Sequence, residues 1–322
     1  MWYARPAELT MRTFALTFNL CMVSCVDYAV TRSQRLDAWT QPERDDPVDI
    51  LWVLDNSASM SEEHTSLMEH AAAFTDTLAA AELEFRLGMV NTDPADLGVQ
   101  SGETMNEATV GLTTTFQAAV AAAGLRGSRD EAGFETATAG ASSLVYPDFA
   151  RENANLEVVV YSDEDDQSDV EVADFLADLG LTRPGMVVHV NAIVGDEPNG
   201  CASPLAAADP GTRYIAAMTA SEGMRESICV NDIDAMLERV ANQAIGLNTS
   251  FVLTDLPLLN TLIVKVDNAE IPRRDEDGWR YDGRANAIVF AGWSIPRPGS
   301  KVTATYFNWT GGALPDTGFA EE

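Results

Sequence analysis

The sequence predicts an α/β protein with a doubly wound, mostly parallel sheet, followed by a small all-β module. Three observations predict it. Short apolar runs alternate with amphipathic stretches up to residue 246, the pattern of repeated strand–helix–strand units. The runs Ile50-Leu51-Trp52-Val53-Leu54 and Leu156-Glu157-Val158-Val159-Val160-Tyr161 are almost continuously apolar, as strands covered on both faces must be. Beyond Gly246 only short β-prone runs remain, separated by the turn pairs Asp277-Gly278, Asp282-Gly283 and Pro298-Gly299.

Length and charge bound the rest. A chain of 322 residues has room for one large domain and a small one. Fifty acidic against 20 basic residues give a formal charge of −30. Such a surface excludes nucleic acid and anionic membranes as partners and favours solubility, cations or basic partners. Adaptation to a salty habitat would give the same imbalance.

The elements follow in order. Residues 1–25 read as a signal peptide: Arg12 precedes a mostly apolar run, 14–26, too short to span a bilayer. Met22-Val23-Ser24-Cys25 has the form of a bacterial lipobox, which would make Cys25 the lipidated residue. Residues 26–47, polar and broken by Pro42 and Pro47, are expected to be a tether. Export would place Cys201 and Cys229 in an oxidising compartment, where a disulfide would stabilise by about 3–4 kcal/mol. Two reduced thiols are the alternative if the chain is not exported.

A strand at 49–54 leads into one helical stripe over 61–78, through Leu67, Ala71, Phe74 and Leu78. A strand at 85–90 ends at Asp93-Pro94, which opens a loop, 94–109, expected on the same edge as the turn after residue 54. Helices are predicted at 113–123, 132–144, 169–179, 213–219 and 232–245, and strands at 156–161, 186–194 and 224–230, with a loop around Cys201. The domain therefore spans 48–247. Short strands at 251–253, 262–266, 279–281, 288–290 and 302–306 make a sandwich-like module over 248–309, and 310–322 is a flexible tail. Leu314-Pro315-Asp316-Thr317-Gly318 spells a sortase-type signal, but the apolar segment and basic tail such a signal needs do not follow, so we expect coincidence.

The chemistry concentrates where strands end. Asp55-Asn56-Ser57-Ala58-Ser59 sets one carboxylate and two hydroxyls at the C-terminal edge of a buried strand. Hard oxygen ligands in such a place suit a small divalent cation. A helix cap by Ser59 or Ser61 is the bland reading. Asp163 ends a second strand in the same way, and Asp93 closes a third and could sit in the outer shell. Asp165, Asp166 and Asp169 crowd the same edge, either as a second cation site or as a solvated loop. They lack the glycine and glutamate of an EF-hand. His64, His70 and His189 form no ligand set, and neither a Gly-x-Ser-x-Gly elbow nor a phosphate-cradling loop with lysine occurs.

Asp55-x-Ser57-x-Ser59 with Ser162-Asp163 resembles the metal-ion-dependent adhesion site of the von Willebrand factor A family, and the likeness runs over about residues 47–247. The stretches Val48-Asp49-Ile50-Leu51-Trp52-Val53-Leu54-Asp55-Asn56-Ser57, Ser162-Asp163-Glu164-Asp165-Asp166 and Pro210-Gly211-Thr212-Arg213-Tyr214 are similar to exported bacterial members that carry a short β module. The resemblance implies that Ser57 and Ser59 ligate the ion directly, Asp55 through water or a hydrogen bond, and Asp163 from a third loop. A second loop supplies a threonine in the family. Matching Gly140 to the family's small residue puts Glu135 at that position here, with Thr136 as the alternative. Glu135 would leave the occupied site with one net negative charge, tightening the cation and weakening a partner carboxylate.

The resemblance further implies Mg²⁺ (or Ca²⁺ or Mn²⁺) as the ion. It implies a protein partner that gives a carboxylate oxygen to it, and a non-enzymatic adhesion module in the periplasm or on the cell surface. A membrane would be met only through a lipid on Cys25. Two other readings compete. One is a metal-assisted hydrolase or phosphatase, although an aspartyl-phosphate enzyme needs a second aspartate where Ser57 stands. The other is an envelope subunit whose metal only stabilises loops.

Overall fold

Residues Val30–Thr40 form an eleven-residue strand, β1, where a tether was expected. It pairs antiparallel along its whole length with residues Lys301–Gly311 at the far end of the described chain. Its polarity has a physical reason. Asp37 accepts hydrogen bonds from the Tyr306 hydroxyl (2.8 Å) and the Thr254 amide (2.9 Å), and Arg35 pairs with Asp255 at 2.6 Å. A strand stitched by polar contacts to partners more than 200 residues away shows no apolar alternation of its own. The computed structural model describes residues 30–42, 46–81, 83–127, 131–204, 206–274, 277–283 and 285–311. The expected signal segment with Cys25, and the tail from 312, lie outside them.

Between the two halves of that pairing sits the larger unit. Its strands are β2 (Val48–Leu54), β3 (Phe85–Asn91), β4 (Met105–Asn106), β5 (Asn155–Tyr161), β6 (Val188–Val194) and, after the small hairpin β7–β8 (Cys201–Ala202 and Ala207–Ala208), β9 (Arg225–Ser227). Six of them make one sheet in the order β4-β3-β2-β5-β6-β9, parallel throughout except for β4. The helices are α1 (Ser61–Glu69), α2 (Ala71–Ala80), α3 (Leu112–Ala123), α4 (Gly133–Gly140), α5 (Val172–Thr182), α6 (Thr212–Ala220) and α7 (Ile233–Ala244).

Every residue of β2 and β5 is buried, because helices cover both faces. Ile50, Trp52 and Leu54 pack with Phe74, Phe116 and Val240 on one face. Leu51 and Val53 pack with Phe134, Phe175 and Tyr214 on the other. The doubly wound α/β fold is thus present. The Trp52 ring makes edge contacts with Phe74 and Phe116 at 5.1 and 5.4 Å between centroids, which fixes α2 and α3 over the middle of the sheet.

Two local expectations are corrected. The stripe 61–78 is two helices, broken at His70, whose φ of −102° and ψ of 8° leave the helical region. The connection 94–109 does not stay on one edge. It runs back along β3, bridging Gln100 to Val90 and pairing Met105 with Leu87 at the opposite end. Cys201 and Cys229 form the expected disulfide, tying the β7–β8 hairpin to the loop after β9.

The β module comprises β10 (Ser250–Val252), β11 (Ile263–Val266), β12 (Ala269–Glu270), β13 (Gly278–Asp282), β14 (Ala287–Ala291) and β15 (Lys301–Gly311). With β1 they form two sheets, β1-β15-β11-β12 and β10-β14-β13, around a core of Phe251, Val264, Trp279, Phe290, Val302 and Tyr306. The large domain is therefore an insertion in the module. Gln41 holds the crossing, fully buried, donating from Nε2 to the Asn248 and Pro296 carbonyls and accepting from the Asn248 amide.

Candidate cation site at the strand ends

Parallel pairing brings the C-terminal ends of β3, β2 and β5 side by side. The Asp55 amide donates to the Tyr161 carbonyl at 3.0 Å and the Thr92 amide to the Leu54 carbonyl at 3.1 Å. Asp55, Thr92 and Ser162 thus leave three neighbouring strands at one level, and the turn after β2 folds over them.

That turn is shaped by Asp55 itself. Its Oδ1 accepts from the Ser57 amide at 2.8 Å, and Oδ2 accepts from the Ser162 hydroxyl at 2.6 Å. The Ser57 and Ser59 hydroxyls lie 2.8 Å apart, and Ser59 also hydrogen-bonds the Asp163 side chain. Asp55, Ser57, Ser59 and Asp163 therefore form one bonded cluster. The bland reading of the serines as helix caps is not what these side chains do: no side-chain cap bond is made at the start of either the short 3₁₀ turn 58–60 or α1. His64, buried on α1, braces the turn through Nε2, 2.8 Å from the Asp55 carbonyl oxygen. His70 instead pairs with Asp234 and His189 with Glu157.

The second loop brings a residue that the sequence reading passed over. Glu131 is fully buried. Its Oε2 accepts from the Thr92 hydroxyl, while its backbone carbonyl accepts from the Gln167 amide at 2.7 Å. Among the described residues its other oxygen, Oε1, has no partner. Glu135 lies one turn further on, half-buried on the first turn of α4. Thr136 is fully buried, but its hydroxyl bonds back to the Gly133 carbonyl at 3.2 Å. The sequence signal for Glu131 is the acidic pair Asp130-Glu131 just before Gly133. Gly133 itself is needed: a Cβ there would stand 2.2 Å from the Tyr214 hydroxyl.

Asp165 and Asp166 neither dangle in solvent nor make a second centre. Asp165 accepts the Arg213 amide at 2.9 Å at the start of α6. Asp166 accepts the Phe134 amide at the start of α4, the Ser168 hydroxyl and Arg213 Nε. Together they tie the third loop to two helix N-termini. Asp93 likewise caps the short turn that follows it, accepting from the Ala95 amide.

Electrostatics sets this edge apart. Asp55, Glu63, Glu131 and Asp163 are all at most 6% exposed. Among the described residues, the arginine ion pairs go elsewhere, to Asp49, Asp166, Asp196, Glu84, Asp255 and Glu226. Burial first, then the charge of Asp55, pushes the Glu131 carboxyl up to about 8. Burial and Asp55 likewise raise Asp163, opposed by its bond from Ser59. Burial with Glu62 and Asp55 raises Glu63. Asp163 Oδ1 and Glu63 Oε2, like Glu131 Oε1, lack a partner. Buried acids gathered without a guanidinium partner, three of the four with a bare oxygen, are costly unless a cation neutralises them.

The donor set fits a hard divalent ion. Carboxylate and hydroxyl oxygens are what Mg²⁺, Ca²⁺ and Mn²⁺ prefer. Among the described residues, no three His, Cys, Asp or Glu side chains converge as direct ligands of one ion. Hydroxyls and water would have to complete the shell, as Ser57 and Ser59 are placed to allow.

Comparisons with known proteins add little. No family profile matches the chain, and no curated protein matches it in sequence. Solved structures similar to it include the pilus adhesin SpaC from Lactobacillus rhamnosus GG (10% identity, 86% of this chain and 43% of that one, TM-score 0.43). Others are a von Willebrand factor type A protein from Catenulispora acidiphila (14%, 89% and 63%, 0.42) and the pilus adhesin RrgA from Streptococcus pneumoniae (10%, 89% and 60%, 0.33). The chain spans less than two thirds of each of these structures. At such scores the likeness carries no functional argument, and the fold stands on its own strand order and burial.

Proposed function

We propose that this chain is an extracytoplasmic binding module that holds one divalent cation, Mg²⁺ or a similar ion, at the ends of β2 and β5 and uses it to engage a protein partner. Asp55, Ser57, Ser59 and Asp163 would hold the ion. When bound, it supplies a Lewis-acid position for an oxygen of the partner. The observation that carries the reading is the bonded cluster of Asp55, Ser57, Ser59 and Asp163, which among the described residues keeps a bare carboxylate oxygen and has no arginine ion pair. The protein's own residues build the rest. Asp55 fixes the turn, Ser162 fixes Asp55, and His64 holds the turn's backbone in place.

Binding is favoured over catalysis by the state of the hydroxyls. Ser57 and Ser59 bond to each other, Ser59 also to Asp163, and Ser162 to Asp55, while His64 is engaged by a carbonyl. None of these serines is paired with a histidine that could activate it. No helix among the described residues is long and apolar enough to cross a membrane. Location outside the cytoplasm, with a lipid on Cys25 as the tether, belongs to this proposal and rests on the N-terminal motif. The disulfide agrees with an oxidising compartment.

Affinity capture from native envelope fractions, run with and without a chelator, tests the reading. Partner capture is expected to vanish with chelator, return on adding Mg²⁺, and fail for Asp55→Ala. Capture that survives both chelation and Asp55→Ala would sink the mechanism. If Mg²⁺ raises stability while no capture depends on it, the ion is only structural.

A further inference from the structure

We propose that Glu131, rather than Glu135, is the acidic residue of the second loop that serves the cation, acting through an intervening water. This rests on the cation reading above and names a residue that the family pattern does not supply. Four observations converge on it. Glu131 is fully buried, and Glu135 is not. The segment that carries it is pinned to both neighbouring loops: the Ala132 amide donates to the Thr92 carbonyl at 2.9 Å and the Gln167 amide to the Glu131 carbonyl at 2.7 Å. One carboxylate oxygen is held by the Thr92 hydroxyl, and the other is bare although buried. The charges of two acids of the cluster, Asp55 and Asp163, act on its carboxyl.

An acid kept only for packing would be paired with a base or saturated by donors. Glu131 is neither. Direct contact is not required of it: among the described residues no three carboxylates converge closely enough to be direct ligands together. Residues one step out from a metal still change affinity by about 10–100-fold, because they orient the shell and set its charge. Glu131 therefore adds a charge that the aspartates and hydroxyls alone would not carry. The occupied edge stays negative, so a partner would be met through a neutral oxygen with basic groups around it more readily than through a carboxylate.

The test is calorimetric titration of Mg²⁺, and of Mn²⁺ as a second probe, into the full chain stripped with chelator. Parent, Glu131→Gln, Glu135→Gln and Asp163→Asn are compared, with circular dichroism confirming each fold. Glu131→Gln is expected to weaken the ion about tenfold or more. Glu135→Gln should change it by less than about threefold, as for a charge in water. Equal or larger weakening by Glu135→Gln, or none by Glu131→Gln, overturns the inference. If parent binds and Asp163→Asn does not, while Glu131→Gln binds like parent, this inference alone fails. If parent itself takes up no ion, the cation reading fails with it. If Glu131→Gln does not fold, Glu131→Asp replaces it, keeping the charge one methylene back. Weakened binding in that variant supports the inference, and parent-like binding overturns it.

Discussion

In the metal-free protein, Glu131→Gln should stabilise the fold by an amount that grows as pH rises from about 4.5 and levels off above about 8. The unfolded chain gives up this proton near 4.5, whereas the folded protein holds it up to about 8. Between those values the folded state binds more protons, so stability falls as pH rises and the loss is complete above the folded value. Each pH unit between the two corresponds to about 1.4 kcal/mol, which sets a ceiling of about 5 kcal/mol for this one buried carboxyl. We expect a few kcal/mol of it to appear, or roughly 5–15 °C in Tm for a domain of this size. The Gln side chain keeps the shape and can still accept from the Thr92 hydroxyl. Urea unfolding in chelator, at roughly pH 5 and roughly pH 8.5, reads both limits. Parent and variant should agree within about 1 kcal/mol at the lower pH and separate at the higher. A variant that is no more stable than the parent at the higher pH, or equally stabilised at both, would refute the reasoning.

Other outcomes follow from the same contacts. Saturating Mg²⁺ at about 100 times its Kd should stabilise the parent by about 2.7 kcal/mol in thermal unfolding, and Ser59→Ala should lose most of that gain. Asp49 is fully buried between Arg151 and Arg183, so Asp49→Asn leaves a guanidinium without its partner. It should cost about 3–5 kcal/mol in urea unfolding, and less than about 1 would count against a structural role for the network. Gly133→Ala places a Cβ 2.2 Å from the Tyr214 hydroxyl and should destabilise by about 1–3 kcal/mol. Reducing the Cys201–Cys229 bridge, which closes 28 residues, should cost about 3–4 kcal/mol, checked by melting with and without reductant.

The parts of the fold legible in the sequence were those whose burial is local to a run of residues. β2 and β5 are buried on both faces, so Ile50-Leu51-Trp52-Val53-Leu54 and Val158-Val159-Val160 announce themselves. β1 does not: its partners Tyr306 and Thr254 are distant, its contacts are polar, and Leu36 is 67% exposed. The break at His70 was hidden because the apolar stripe continues in phase across it. At the site, the strand ends together with the family resemblance pointed to Asp55, Ser57, Ser59 and Asp163, which the fold brings together. The burial of Glu131 in the second loop was not legible, because the register there depends on how far the chain travels after α3 before Thr92 captures Ala132. Spacing counted back from Gly140 selects Glu135, whereas pairing to β3 brings Glu131 to the strand ends. Asp165 and Asp166 were misplaced for a related reason: the amides they cap, Arg213 and Phe134, are far apart in sequence.

The central claim is that a divalent ion belongs at these strand ends, and its most direct test is stoichiometric. Mn²⁺ titrated into chelator-stripped protein and followed by electron paramagnetic resonance should show one ion taken up per chain. Asp163→Asn and the double change Ser57→Ala with Ser59→Ala should each abolish that uptake while the far-ultraviolet spectrum is kept. Uptake of one ion that both variants retain would place the ion elsewhere, and no uptake by the parent would contradict the account.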